Sequence, residues 1–154
     1  MKEKRKINYI RILIFFLCVM GAVKILFVGY DIDEEYALAM SYRMTQGDFM
    51  IYNMWEPHQT SGFLMALFML SYMMITGTTT GIALFVRICG LVCHIIVHVL
   101  LYRTIKSYLD RDYCLLVCGI SFFALPKLMF VPEFANMQIW FLILTVICLL
   151  NYYG

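Results

Sequence analysis

Four apolar stretches, at about 12–30, 80–102, 113–131 and 134–152, constrain this chain more than any other feature. A helix that crosses the hydrocarbon layer of a bilayer needs about 20 mostly apolar residues, and each stretch comes close to that length. Lipid offers no hydrogen-bond partners to the backbone, so such stretches cross as helices. Of the 154 residues, 63% are hydrophobic and 14% charged. A water-soluble fold of this length has too little interior to hide that much Leu, Ile, Phe and Met. The expected fold is therefore an all-α integral membrane protein. The few basic residues do not interleave with aromatics, which argues against nucleic acid as a partner.

Charge sets the expected topology. Lys2, Lys4, Arg5, Lys6 and Arg11 precede the first stretch, and Arg103, Lys106 and Arg111 cluster in a short loop. The positive-inside bias assigns both groups to the cytoplasm. The polar loop 31–60 is then extracytoplasmic, and the chain crosses an odd number of times between that loop and Arg103. The stretch 80–102 supplies one crossing. The apolar segment 62–76, about 15 residues long, is then a juxtamembrane half-helix on the outer face. Four spans and one half-span result, with Lys24 near the outer end of the first span able to snorkel outward or to face the bundle. Pro126, followed by Lys127, is expected to kink the third span near its outer end.

Inside the apolar stretches the polar residues are few. Arg87, His94 and His98 are seven and four residues apart, so they share one helix face and should look toward protein or water. For Arg87 two roles stand open, contact with an anionic lipid phosphate or a buried bundle contact. His94 and His98 have the i, i+4 spacing of a metal pair, but no third ligand accompanies them. The six cysteines, Cys18, Cys89, Cys93, Cys114, Cys118 and Cys148, all lie in apolar runs and read as small packing residues. Met65, Met69, Met73 and Met74 read as packing or lipid-facing surface.

Chemistry is confined to the loop 31–60, DIDEEYALAMSYRMTQGDFMIYNMWEPHQT. It carries the carboxylates Asp31, Asp33, Glu34, Glu35, Asp48 and Glu56, with Arg43 and His58. Residues 34–44 have a helix-like pattern, capped by Asp31 or Asp33 and ended by Gly47-Asp48. A carboxylate just beyond the end of a span can serve as general base toward an acceptor arriving from outside. The plainer role for these acids is to cap a helix and keep the loop hydrated.

The order of these elements resembles the N-terminal third of the GT-C superfamily glycosyltransferases, which include protein O-mannosyltransferases and the bacterial lipid A aminoarabinose transferases. Asp33-Glu34-Glu35-Tyr36 resembles their Asp-Glu motif in the first outer loop, and Gly47-Asp48 the Gly-Asp after its helix. Trp55-Glu56-Pro57-His58-Gln59 stands where that family carries a His-Pro element, here in the order Pro-His. Gly81 to Arg87 resembles the opening of their second span, and Glu133 in VPEFAN stands where they carry an acid in the second outer turn. The resemblance implies a multi-pass cell-membrane enzyme that moves a hexose or pentose from a polyprenyl-phosphate donor to an acceptor not specified by these residues. Asp33 would be the catalytic base, with Asp31 as rival and Glu34 beside it. Glu56, His58 and Arg87 would bind substrate, and Glu133 would contact a divalent cation or the acceptor. Members of that family are several hundred residues long, so the chain is expected to be an incomplete portion, inactive alone. The competing reading is a non-enzymatic small membrane protein, an accessory subunit or a transporter fragment.

Overall fold

The computed structural model describes residues 2–27, 29, 31–55, 58–125 and 129–153. Glu56, Tyr30 and the Pro126-Lys127 kink lie outside the described residues, as do the side chains of the basic N-terminal cluster. The described chain is all helical: α1 Lys2–Leu26, α2 Ile32–Thr45, α3 Gly62–Thr76, α4 Ile82–Ile105, α5 Arg111–Phe123 and α6 Phe134–Tyr153, with a 3-10 turn at Gln59–Ser61.

Among the described helices, α4 and α6 are each long and apolar enough to cross a membrane. Only 39% and 28% of their apolar windows are buried within the protein. The central helix of a soluble domain would be mostly covered, so these two helices need an apolar surrounding. On α4 the buried residues Val86, Arg87, Gly90, His94, Val97, His98, Leu101 and Ile105 recur at helical spacing and form one stripe. Ile88, Val92, Ile96 and Val99 occupy the exposed side.

The packing has two centres. In the first, α4, α5 and α6 meet around Val97, Leu101, Ile105, Cys114, Trp140, Ile143 and Ile147. The Tyr108 hydroxyl, in the turn after α4, donates to the Leu150 carbonyl at 2.8 Å and ties this end of the bundle to α6. In the second, Ala37 of α2, Met65 and Met69 of α3 and Val86 of α4 close around Met129 and Val131. Gly62 of α3 lies against Ser41 and Met44 of α2, so α3 runs back along the helix that precedes it. Helix α3 ends on Gly77, whose φ of 66° is the left-handed conformation that glycine adopts without steric penalty. The Tyr72 hydroxyl donates to the Thr80 carbonyl at 2.5 Å across the turn into α4. All six cysteines are free thiols.

The stretch expected as a third span differs from the expectation. Helix α5 ends at Phe123, and its 13 residues are only about 20 Å long at 1.5 Å per residue. Hydrocarbon is about 30 Å thick, so α5 alone falls short of a span. Residues 129–133 are not helical, and all five are buried. Buried non-helical backbone persists where its polar groups find partners and its atoms find room, and one residue supplies each. The Asn136 amide donates to the carbonyls of Met129 and Val131 at 2.9 and 2.7 Å. At Gly90, α4 has no side chain, and the Phe130 carbonyl occupies the space where a Cβ would stand.

His94 and His98 serve the same irregularity. His94 Nε2 donates to the Phe122 carbonyl at 2.9 Å, in the last turn of α5, and Nδ1 accepts from Trp140 Nε1 at 2.8 Å. His98 Nδ1 donates to the His94 carbonyl at 2.8 Å, and Nε2 accepts from the Ser121 hydroxyl at 3.1 Å. The partners assign each tautomer. One of the carbonyls orphaned at the end of α5 is thereby satisfied. Trp140→Phe removes a donor and leaves buried Nδ1 without its partner, an expected loss of about 1–3 kcal/mol. Equilibrium unfolding in detergent reads it, and a change within error would show that this contact does not contribute.

Candidate functional site

Helix α2 begins as its sequence suggests. Asp31 is the N-cap, its carboxylate accepting from the Asp33 backbone N–H at 3.3 Å, and Asp33, Glu34 and Glu35 fill the first turn at the positive end of the helix dipole. Successive residues of a helix point about 100° apart, so the acidic run diverges. Asp33, Tyr36, Ala37 and Met40 share one face. Glu34 points elsewhere.

That shared face forms one wall of a cleft of about 450 Å³. The other walls come from His58 and Ser61, before α3, and from Glu133 and Phe134, at the start of α6. Asp33, His58 and Glu133 thus converge from positions up to a hundred residues apart in the chain. Glu133 is buried, its backbone carbonyl accepting the Met137 N–H at 2.9 Å, and it precedes α6, where a negative charge is favoured by the dipole. The His58 ring stacks on Phe134, centroids 4.0 Å apart and planes 9° from parallel. His58 adopts φ 63°, a left-handed conformation uncommon for a residue with a Cβ. Its carbonyl accepts both the backbone N–H and the hydroxyl of Ser61, at 3.0 and 2.8 Å, which holds it there. Strain maintained by surrounding contacts is common where a side chain must be aimed.

Glu34 and Arg87 lie outside the cleft lining. Arg87 Nε and Nη2 each donate to a Glu34 carboxylate oxygen at 2.6 Å, a two-pronged pair with side chains 7% and 0% exposed. Arg87 Nη1 also donates to the Leu26 carbonyl at 2.8 Å and Nη2 to the Gly29 carbonyl at 3.3 Å. One guanidinium therefore clamps the end of α1, the start of α2 and the first turns of α4. Of the two roles open for Arg87 in the sequence, this is the bundle contact. Asp31, the rival base, is occupied as a cap and does not line the cleft, whereas Asp33 does.

Tyr36, Met40, Ser61 and Phe134 also line the cleft, and the sequence offered only a slight signal for them. Tyr36 closes the D-E-E-Y run, but nothing in QTSGFLM or FANMQIW marks Ser61 or Phe134 as neighbours of Asp33. No cluster of three or more His, Cys, Asp or Glu residues suited to a metal ion occurs among the described residues. The cleft can hold a small polar ligand against an aromatic wall, with one exposed and one buried carboxylate facing it. No protein-family model matches the chain, and neither curated proteins nor solved structures give a match.

Proposed function

We propose that this chain is the membrane-embedded N-terminal portion of a glycosyltransferase resembling the GT-C enzymes, which moves a sugar from a polyprenyl-phosphate donor to an extracytoplasmic acceptor. In this reading α1, α4, α5 with the chain that follows it, and α6 cross the membrane, and α2 and α3 lie on the outer face. The observation that supports it best is the convergence of Asp33, His58 and Glu133 on one cleft. They are three of the six residues that the resemblance selected; Glu34 and Arg87 pair with each other outside the cleft lining, and Glu56 lies outside the described residues.

Asp33 is exposed at the cleft, where its carboxylate takes a proton from an acceptor hydroxyl or amine as the oxygen or nitrogen attacks the anomeric carbon. The bond to the lipid phosphate breaks, and the phosphate leaves with the electron pair. The outer face of the stacked His58–Phe134 pair is suited to the face of a sugar ring. Glu133 faces the same space as a contact for the acceptor or for a divalent cation. The Glu34–Arg87 clamp holds α2 so that Asp33 keeps its direction.

Loss of a general base lowers a rate by about 10²–10⁴-fold. Asp33→Asn is therefore expected to reduce sugar transfer by that factor, while Asp31→Asn, which keeps a side-chain cap, retains most of it. The assay follows a labelled hexose or pentose from its polyprenyl phosphate in membranes carrying the full-length protein of which this chain is proposed to be the N-terminal portion. Wild-type transfer by Asp33→Asn would end this reading.

A further inference from the structure

The segment between α2 and α3 is built inside out. Arg43, Asp48 and Asn53 turn their polar groups toward one another and toward the loop's own backbone. Arg43 of α2 donates to the Asp48 carboxylate at 2.7 Å and to the Asn53 carbonyl at 2.9 Å. The Asn53 side-chain oxygen accepts from the Phe49 N–H at 2.9 Å, and the Asn53 N–H donates to the Phe49 carbonyl at 2.9 Å. The Ile51 N–H donates to the Met54 carbonyl at 3.0 Å, and Met54 is 1% exposed, pinning the loop to the protein. What the loop turns outward is apolar. Phe49, Ile51, Tyr52 and Trp55 are 72%, 69%, 86% and 84% exposed, and no residue from 49 to 55 carries a charge. Ile51 even adopts φ 69°, a left-handed conformation that costs a residue with a Cβ about 1–2 kcal/mol.

In water this arrangement is unfavourable on two counts, exposed apolar area and backbone strain. Phe, Tyr and Trp on an uncharged loop suit the boundary between lipid headgroups and acyl chains. The chain that follows makes the same demand. On α3, Phe63, Leu67, Leu70 and Met74 are exposed at spacings of four, three and four, a single apolar stripe opposite buried Met65 and Met69. A protein partner would be expected to meet a polar rim; residues 49–55 and the stripe carry no charge themselves, and Asp48 and Glu56 stand next to the two ends of 49–55 in the sequence.

We infer that residues 49–55 form a preorganised anchor that inserts Phe49, Ile51, Tyr52 and Trp55 into the lipid–water interface. The α2–α3 pair then lies flat on the membrane. The loop sits at the far end of α2 from the Arg87 clamp, about 20 Å away along a helix of 14 residues. Both ends of α2 are thereby fixed, one to α4 and one to the bilayer, and the cleft along its face opens at the membrane surface. This inference rests on membrane embedding and not on sugar transfer, so it survives or fails separately from the Asp33→Asn assay.

The test is Trp55 fluorescence in the protein reconstituted into phosphatidylcholine vesicles whose acyl chains carry bromine close to the headgroups. The chain has two tryptophans, and the signal of Trp140, read alone in Trp55→Phe, is subtracted. Trp55 is an exposed surface residue, and Trp55→Phe retains an aromatic ring, so the variant is expected to fold. The expected Trp55 emission is blue-shifted, quenched by the bromolipid and protected from aqueous iodide. Solvent-like emission quenched by iodide would overturn the anchor. So would emission shielded from both quenchers, which would mean that protein, for example a second copy, covers the loop.

Discussion

Gly90→Ala is expected to be severely destabilising, although it adds one methyl group to an apolar helix. A Cβ at this position would stand 1.6 Å from the Phe130 carbonyl oxygen, 2.8 Å from its carbon and 3.2 Å from Pro132 Cδ. The first two are backbone atoms and cannot rotate aside. Overpacking a core costs about 1–3 kcal/mol where side chains can adjust, and occasionally more. Here the segment 129–133 must leave α4, which also takes Asn136 from its two carbonyls and Glu133 from the cleft. The expected loss is thus about 3 kcal/mol or more, or about 6–12 °C in Tm for a chain of this size. Gly119→Ala is the internal control. It lies within α5 with nothing inside 4 Å of its Cβ position, and alanine is the better helix former by about 1 kcal/mol. Thermal unfolding of the two variants in one detergent compares them directly. Equal behaviour would refute the packing of 129–133 on α4.

Breaking the Glu34–Arg87 pair is the second large effect. Removing one member of a buried ion pair leaves the other charge without compensation and costs about 3–5 kcal/mol. Arg87→Met and Glu34→Leu are each expected to lose that much. The double variant should recover a large part, because two apolar side chains of similar volume restore packing without a stranded charge. Recovery will be incomplete, since the Leu26 and Gly29 carbonyls also lose their donor. A double-mutant cycle on unfolding free energies measures the coupling. Additive losses would show that the two side chains do not depend on one another. If Asp33 relies on the clamp for its direction, each single variant also loses transfer activity beyond what its lower stability explains.

How much was legible in the sequence differs from element to element. Helix α2 was readable because its signals are local: Asp31 caps it, the acids suit its first turn, and Gln46-Gly47 follow its end. Helices α4 and α6 were readable because length and apolarity suffice to mark a helix able to cross a membrane. The stretch after Arg111 was misread as one continuous crossing. Tyr113 to Val131 is apolar enough, but apolarity does not distinguish a helix from a buried non-helical segment. That distinction came from Gly90 and Asn136, forty residues before and a few residues after, which supply the space and the donors that a non-helical backbone needs. His94, His98 and Trp140 were visible as polar groups in apolar runs, yet their shared task at the end of α5 required the three helices to be side by side.

The candidate site divides in the same way. Residue type alone made the loop 31–60 the place for chemistry, because charge in a chain this apolar collects where water is. The direction of each acid was a tertiary matter. Asp33 and Glu34 are neighbours in sequence, but a helix turns them about 100° apart, one onto the cleft and the other onto Arg87. By itself the sequence determined the all-helical character, the helices long enough to cross and the acidic start of α2, since these follow from nearest-neighbour periodicity and solvent preference. Only the tertiary structure decided which carboxylate faces His58 and Glu133, which one is spent on an ion pair, and where the chain leaves the helix. Those choices depend on contacts between residues tens of positions apart, whose free energy no local pattern encodes.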